Sequence, residues 1–360
     1  MKPALPSATR TSATDLHDID RLFSDAGLVR SLRGKSSAHF RLAKFDRAAP
    51  EELSRPASSL RADANGVQWL PVPGWDRARL WGGFSTRIGG HSRAWCAADA
   101  PGELNLGFTP QDSRETVAAN RRLLVEAVTG SSSTPLITLR QFHSNRVARV
   151  TVSDANRTQP WKADGAITDA PGLLLGVLTA DCIPVLVADP KRRVAGAFHA
   201  GWRGTVKRIV EAGVGRMRLE FGSRPEDMVA AIGPGIGQCC YAVGEEVLSE
   251  FESQFAYGRE LFREVYDSDA VRRKYPMLFL TQRAPGHSPI GPSLHLDLIE
   301  ANRRQLMAAG IGGKSIQIAG GCTQCQQELF FSHRGSSGHA GRLMAVIGLR
   351  GDAKKSPRPR

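Results

Sequence analysis

The rhythm of apolar and polar positions changes near Val67. Before it, residues 1–60 are rich in Ser, Ala, Arg and Pro and show little apolar periodicity. Only 15–32, DLHDIDRLFSDAGLVRSL, has the spacing of a short amphipathic helix, and the rest reads as linker. Beyond Val67, short apolar runs alternate with glycine turns. Segment 82–92, GGFSTRIGGHS, predicts a short strand and a glycine turn. Residues 112–129 place Val117, Leu124 and Val128 at helical spacing, with Gly130 as the stop. Segment 136–152 alternates like a strand. Three apolar runs follow, 173–179, 183–189 and 193–201, and their turn-residue flanks predict buried strands. The pattern then predicts a helix over 204–222, a strand and glycine loop in MVAAIGPGIG, a helix over 296–310 ended by Gly310, and a closing strand in RLMAVIGL. Strands and helices mixed without a regular βα repeat predict a layered α/β fold, an α+β sandwich.

Composition adds the domain plan. A chain of 360 residues with 41% hydrophobic and 23% charged residues is long enough and apolar enough to bury a core. The reading is an N-terminal extension over 1–60, one folded domain over 61–350 and a basic tail over 351–360. No apolar run reaches the ~18 residues of a membrane span, and the first residues hold no continuous apolar stretch of a signal peptide. The expected location is the cytoplasm, with no membrane partner.

The net charge of +13 raises a nucleic-acid reading, which the placement of the charge weakens. Residues 1–60 hold ten basic and seven acidic groups, and 350–360 hold five basic and one acidic. The excess in RGDAKKSPRPR is that of a solvated end, so no specific nucleic-acid partner is expected. The six cysteines include the vicinal pair Cys239 and Cys240, an awkward arrangement for a disulfide framework. Free thiols in a reducing compartment are the expectation.

Reactive residues gather beside strand ends and glycines in three segments: QFHSN with His143, TADCIPV with Asp181 and Cys182, and HAGWRG with His199, Trp202 and Arg203. A thiolate with two imidazoles suits zinc, and three protein ligands leave a fourth position open, the catalytic pattern. Taken singly, a Cys in an apolar strand is a core residue and a His at a strand end is a hydrogen-bonding one, and the spacing here matches no zinc-finger signature. Cys322 and Cys325 form a CxxC, but there is no second CxxC to complete a four-sulfur site. Structural thiols are therefore the reading, with a redox pair or half of a metal site as alternatives. IGPGIG is not a dinucleotide fingerprint, and no P-loop occurs. Arg87, Arg203, Arg334 and Arg342 each sit near glycines, and as a set they suit a phosphate or another anion.

The segments ADGAITD, LTADCIPVLVADP, AGAFHAGWRGTVKRIVE, AIGPGIGQCCYAVGEEV and CTQCQQELFFSHRGSSGHAGR, in this order and preceded by STRIGGHS, LNLG and QFHSN, resemble the YfiH/laccase-domain family from about Trp81 to Leu349. That resemblance implies a layered α/β fold shared with cysteine-hydrolase-like toxin domains. It also implies a zinc-type site of two His and one Cys, mapping onto His143, Cys182 and His199. It implies phosphorolysis of adenosine, inosine or methylthioadenosine and deamination of adenosine, so the small-molecule partners are a purine nucleoside and phosphate. Family naming also implies copper-dependent polyphenol oxidation, with Cu2+ as the alternative metal, and some bacterial members resemble peptidoglycan-editing hydrolases of a mis-made UDP-muramyl–amino acid. Arg87, Arg203 and Arg334 are then the candidates for the anion, and Asn105 or Asp181 for placing a hydroxyl or a proton. The chain departs from the family where Ala242 follows CCY instead of an acid, where Arg334 is followed by Gly335 rather than a second basic residue, and where 93–103 is lengthened.

Three rival classes remain. Cys182 with His199 as base would make a nucleophilic hydrolase, distinguished by its lack of need for metal. A multicopper oxidase would need more histidine than the nine present, which include no HxH pair. A binding module would use the basic ends, with salt-dependent binding that survives loss of Cys182.

Overall fold

A computed structural model gives the architecture of residues 60–75, 79–97, 99–265 and 293–351. The helix expected over 15–32 lies outside these residues. All of the described residues fall within one compact unit, Ala48–Arg360.

Two six-stranded sheets form the centre. The first runs in spatial order β1 (Arg61–Ala62), β2 (Gln68–Pro71), β3 (Leu80–Ser85), β16 (Leu343–Leu349), β8 (Leu174–Thr179) and β5 (Leu136–Thr138). The second runs β15 (Ile316–Ile318), β11 (Val229–Ile232), β9 (Ile183–Asp189), β10 (Val194–Ala200), β7 (Gly165–Thr168) and β6 (Val147–Arg149). Most neighbours are antiparallel, whereas β5 with β8, β6 with β7 and β11 with β15 are parallel. A short strand, β4 (Ile88–Ser92), follows the STR turn. A third, three-stranded sheet is built from β12 (Ala242–Val243), β14 (Ser293–Leu296) and β13 (Phe262–Val265).

The apolar runs explain the layering. A strand buried on both faces reads as a continuous hydrophobic run, and successive side chains go to opposite sides. In β9, Leu186 and Ala188 enter the core between the two sheets, while Val185 and Val187 enter the core on the outer face. In β16, Ala345 and Ile347 face the second sheet, while Met344 and Val346 face outward. The outer face of the first sheet is covered by helix α1 (Arg114–Thr129) through Leu124, Val125 and Val128. The outer face of the second is covered by α2 (Trp202–Val206), α3 (Ile209–Phe221), α4 (Glu245–Gln254) and α5 (Leu298–Ala308). The result is the layered α/β sandwich anticipated from the pattern.

Two local readings change. The helix expected over 204–222 is broken into α2 and α3, because Arg208 takes a left-handed φ of 60° and donates to Glu211 and to the Gln254 carbonyl. The strand expected over 136–152 is two short strands, β5 and β6, with a loop between them. That loop is where the chemistry begins.

Candidate functional site

The loop between β5 and β6 is folded around one carboxylate. Asp164, fully buried just before β7, accepts the backbone N–H groups of Phe142 at 3.1 Å, His143 at 2.9 Å and Ser144 at 2.7 Å, and the Ser144 hydroxyl at 2.7 Å. Convergence of N–H groups on an anion is a strong, charge-assisted arrangement. It sustains His143 at a left-handed φ of 62°, which is costly for a residue with a Cβ. The same carboxylate accepts from His199 Nδ1 at 2.9 Å, which leaves Nε2 as that ring's ligand nitrogen. Burial alone would raise the Asp164 pKa, but the hydrogen bonds from His199 and Ser144 outweigh it and hold the carboxyl well below its usual range.

Strand register delivers the other two groups. In the β9–β10 pair His199 lies opposite Pro184 and Ala200 opposite Ile183, so the next step brings Cys182 beside Gly201. Gly201 is needed there: a Cβ would stand 2.8 Å from Cys182 Sγ and 2.9 Å from His143 Cδ2. Cys182 Sγ is 3.8 Å from His143 Nε2, and the His143 and His199 ring centroids are 4.9 Å apart. One ligand atom from each of His143, Cys182 and His199 lies within 4.8 Å of the others. A tetrahedral zinc bound at ~2.0–2.3 Å would set such atoms roughly 3.3–3.6 Å apart, so the set fits a borderline-soft divalent ion with little rearrangement. The carboxylate behind His199 is the outer-shell partner that fixes a ligating imidazole.

The electrostatics agree with a thiolate. Burial raises the Cys182 pKa, but the charge of His199 and contact with His143 overcome it, pushing the thiol down to about 6. Burial likewise opposes the His199 charge, while Cys182 and Asp164 favour it, and its pKa is pushed up to about 9. A metal entering this site would displace that proton, since an imidazole ligates in its neutral form.

Beside this cluster opens a cleft of about 400 Å³, lined by Trp202, Arg203, Tyr241, Gly244, Glu246 and Arg334 among others. Arg203 lies 4.2 Å from the Trp202 ring centroid, and Arg334 lies 5.4 Å from that of Tyr241 while donating to the Ala242 carbonyl at 2.8 Å. Burial raises the Tyr241 pKa, the Cys182 charge raises it further, and Arg334 opposes, which places the cleft within electrostatic reach of the cluster.

The remaining sequence candidates are engaged in the fold. Asp181 accepts Thr323 Oγ1 at 2.6 Å, Ser332 Oγ at 2.7 Å and the Arg334 N–H at 2.6 Å. Asn105 is fully buried and bonds Gly107, Asp112 and the Arg342 N–H. Arg87 pairs with Glu103 at 2.5 Å, donates to the Gln327 carbonyl at 2.6 Å and lies over Phe331. Asp164, Ser144 and Tyr241 were not singled out from sequence. For Asp164 a signal existed, an acid directly before a buried strand in ADGAITD. Cys239 and Cys240 supply the two thiols that spacing failed to find, and their sulfurs lie within 4.8 Å of those of Cys322 and Cys325.

Comparison with known proteins places this geometry. The family described as multi-copper polyphenol oxidoreductase laccase matches residues 82–350. Purine nucleoside phosphorylase YlmD of Geobacillus stearothermophilus is 35% identical over 277 residues, covering 74% of this chain and 89% of that protein. A purine nucleoside phosphorylase of Deinococcus radiodurans is 37% identical over 266 residues, 74% of this chain and 88% of its own. A relative named adenosine deaminase RL5, from an unknown prokaryotic organism, is 32% identical over 233 residues, 63% of this chain and 79% of its own. The crystal structure of Bacillus licheniformis YfiH superposes with a TM-score of 0.67 at 32% identity, covering 81% of this chain and 99% of that one. No helix among the described residues is long and apolar enough to cross a membrane. With its own copy of the ordered motifs carried on the same layered fold, the chain belongs to the multi-copper polyphenol oxidoreductase laccase family, that of YfiH and YlmD.

Proposed function

We propose that the protein is a zinc-dependent purine nucleoside phosphorylase that also deaminates adenosine, with His143, Cys182 and His199 holding the metal. The observation that carries this reading is the adjacency of a carboxylate-braced Cys-His-His cluster to a cleft that combines two guanidinium groups with two aromatic rings. Zinc, when bound, supplies a Lewis acid and an activated water at neutral pH. The chain's own residues do the rest. Asp164 fixes the tautomer and orientation of His199 and the conformation of the His143 loop. Arg203 and Arg334 suit the phosphate, whose attack forms the oxygen–C1′ bond as the glycosidic C–N bond breaks and the purine leaves with a proton. Trp202 and Tyr241 offer flat apolar faces to the purine ring. Asp181 acts as a positioning residue in this reading, since it accepts the N–H of Arg334 in the cleft wall, while Asn105 and Arg87 hold the Arg342 and Gln327 backbone and support the fold around the site. The relative named adenosine deaminase supports the second, hydrolytic activity.

The test is incubation of metal-analysed protein with adenosine, inosine and methylthioadenosine, with and without phosphate. The expected products are free base with stoichiometric ribose 1-phosphate, or 5-methylthioribose 1-phosphate from methylthioadenosine, only when phosphate is present, and inosine with ammonia from adenosine without it. Metal-replete protein that releases neither base nor ammonia from any of the three would overturn the reading. Turnover of an amide substrate that persists after metal removal would favour the Cys182 nucleophile instead.

A further inference from the structure

We propose a second metal site, a closed four-thiolate zinc site formed by Cys239, Cys240, Cys322 and Cys325, which locks one wall of the cleft. The four sulfurs lie within 4.8 Å of one another, with Cys325 Sγ 3.5 Å from Cys239 Sγ and 3.3 Å from Cys240 Sγ. A zinc at ~2.3 Å from each of four sulfurs would set them roughly 3.8 Å apart, so the group needs only small shifts to close on an ion. Cys325 stands almost equally close to two partners, and a disulfide would satisfy one of them only, whereas a tetrahedral ion takes all four thiolates at once.

The backbone is shaped for the same purpose. The 235–241 loop runs beside the 322–325 turn: Gly235 bridges Cys322 in parallel, and the Thr323 N–H donates to the Gly235 carbonyl at 3.0 Å. The Gly237 N–H donates to Cys322 Sγ at 3.2 Å, the kind of bond that supports a sulfur carrying negative charge. A Cβ on Gly237 would stand 3.1 Å from both Cys239 Sγ and Cys322 Cβ, so the glycine keeps the sulfurs accessible to one point. Cys322 is buried while Cys239 and Cys325 are exposed, which gives an ion an entry path from solvent.

The site's neighbours define what it does. Tyr241 and Ala242 follow Cys240 directly; Tyr241 lines the cleft and the Ala242 carbonyl holds Arg334. On the other side, Thr323 follows Cys322 and binds the Asp181 carboxylate, next to Cys182. An ion at the four sulfurs therefore ties together the two segments that position Tyr241, Arg334 and Asp181. All four ligands come from the protein, so no position is left for substrate, which is the structural pattern. Binding expels the thiol protons to solvent and adds the binding free energy to local stability. This inference stands independently of the activity proposed above.

Metal counting on the whole chain, purified under reducing conditions, tests it. The expected content is about two zinc ions per chain, falling to about one in Cys182→Ala and to about one in the Cys322→Ser/Cys325→Ser double variant. X-ray absorption at the zinc edge of Cys182→Ala should show a shell of sulfur without imidazole nitrogen. Folded Cys182→Ala protein with no zinc, or with nitrogen ligands, would overturn the proposal. Should that variant fail to fold, the wild type decides: about one zinc per chain, with all four thiols open to rapid modification or with Cys325 in a disulfide, rules the site out.

Discussion

The two clusters of ligand-type side chains are built from different materials and braced in different ways. His143, Cys182 and His199 are gathered from a loop, the bend just before β9 and the end of β10, and a buried carboxylate orders the two histidines from behind. Cys239, Cys240, Cys322 and Cys325 sit where two turns run side by side, with the Gly237 backbone N–H as their support. The first set is mixed, short of one ligand and opens toward a cleft. The second is all sulfur, with four donors from the protein. The contrast teaches that donor number and bracing, more than the presence of cysteine, separate a site suited to reaction from one suited to holding a fold.

Removing a ligand from either set gives the largest expected effects and tests their independence. His199→Ala should cost the metal of the first cluster and lower turnover by on the order of 10³-fold, equivalent to about 4 kcal/mol of transition-state stabilisation. The sulfur cluster should keep its ion. Metal analysis paired with nucleoside turnover reads both, and simultaneous loss of both metals in a folded variant would show that the clusters are one cooperative unit rather than two sites.

Asp164→Asn should come next. Loss of an outer-shell carboxylate typically weakens metal binding or activity by ~10–100-fold. Here the substitution also weakens bonds to the Phe142, His143 and Ser144 N–H groups, so the His143 loop loosens as well. Chelator competition should show a first-site affinity drop in that range and no change at the four sulfurs. An unchanged affinity would mean that the strand register alone orients His199.

How much of this was legible in the sequence follows from the distances over which each feature is decided. The strands that position Cys182 and carry His199 were readable, because a strand covered on both faces is a continuous apolar run and IPVLVAD and VAGAFHA are such runs. The three ligand candidates came from ordered motifs beside those runs. The His143 loop was read as strand because its conformation is imposed by Asp164, which acts from outside any local window. The break at Arg208 was invisible for a similar reason: apolar spacing continues through VKRIV, and the bond that favours the turn goes to the Gln254 carbonyl. The four-sulfur cluster escaped because its halves are separated by more than eighty residues, so spacing rules for paired CxxC motifs could not join a vicinal pair to it.

Gly201→Ala sharpens the comparison from the side of packing. The added methyl would meet Cys182 Sγ at 2.8 Å and the His143 ring at 2.9 Å, so one of the two must move. Overpacking of this kind costs about 1–3 kcal/mol, which would be felt as weaker metal retention at the first cluster and a lower melting temperature. The four sulfurs, which Gly201 does not touch, should retain their ion. A fully metallated first site with unchanged turnover would show that the cluster tolerates a shift larger than its bracing suggests.

The smallest expected effect separates the cleft from the metal clusters altogether. Arg203 follows Gly201 and Trp202 at the start of α2, and its guanidinium lies over the Trp202 ring facing the cleft. A guanidinium holds a phosphate through two parallel hydrogen bonds and stacks on an aromatic face, and an ammonium reproduces neither geometry. Arg203→Lys preserves the charge, so metal content at both clusters should be normal and the protein should melt as the wild type does. The KM for phosphate should rise by about tenfold, the equivalent of losing one charge-assisted hydrogen bond of about 1.4 kcal/mol. Deamination of adenosine, which uses water in place of phosphate, should change less. Equal loss of both reactions would make Arg203 a support for Trp202 and the α2 turn, and no change in either would leave Arg334, anchored to the Ala242 carbonyl, as the group that meets the anion.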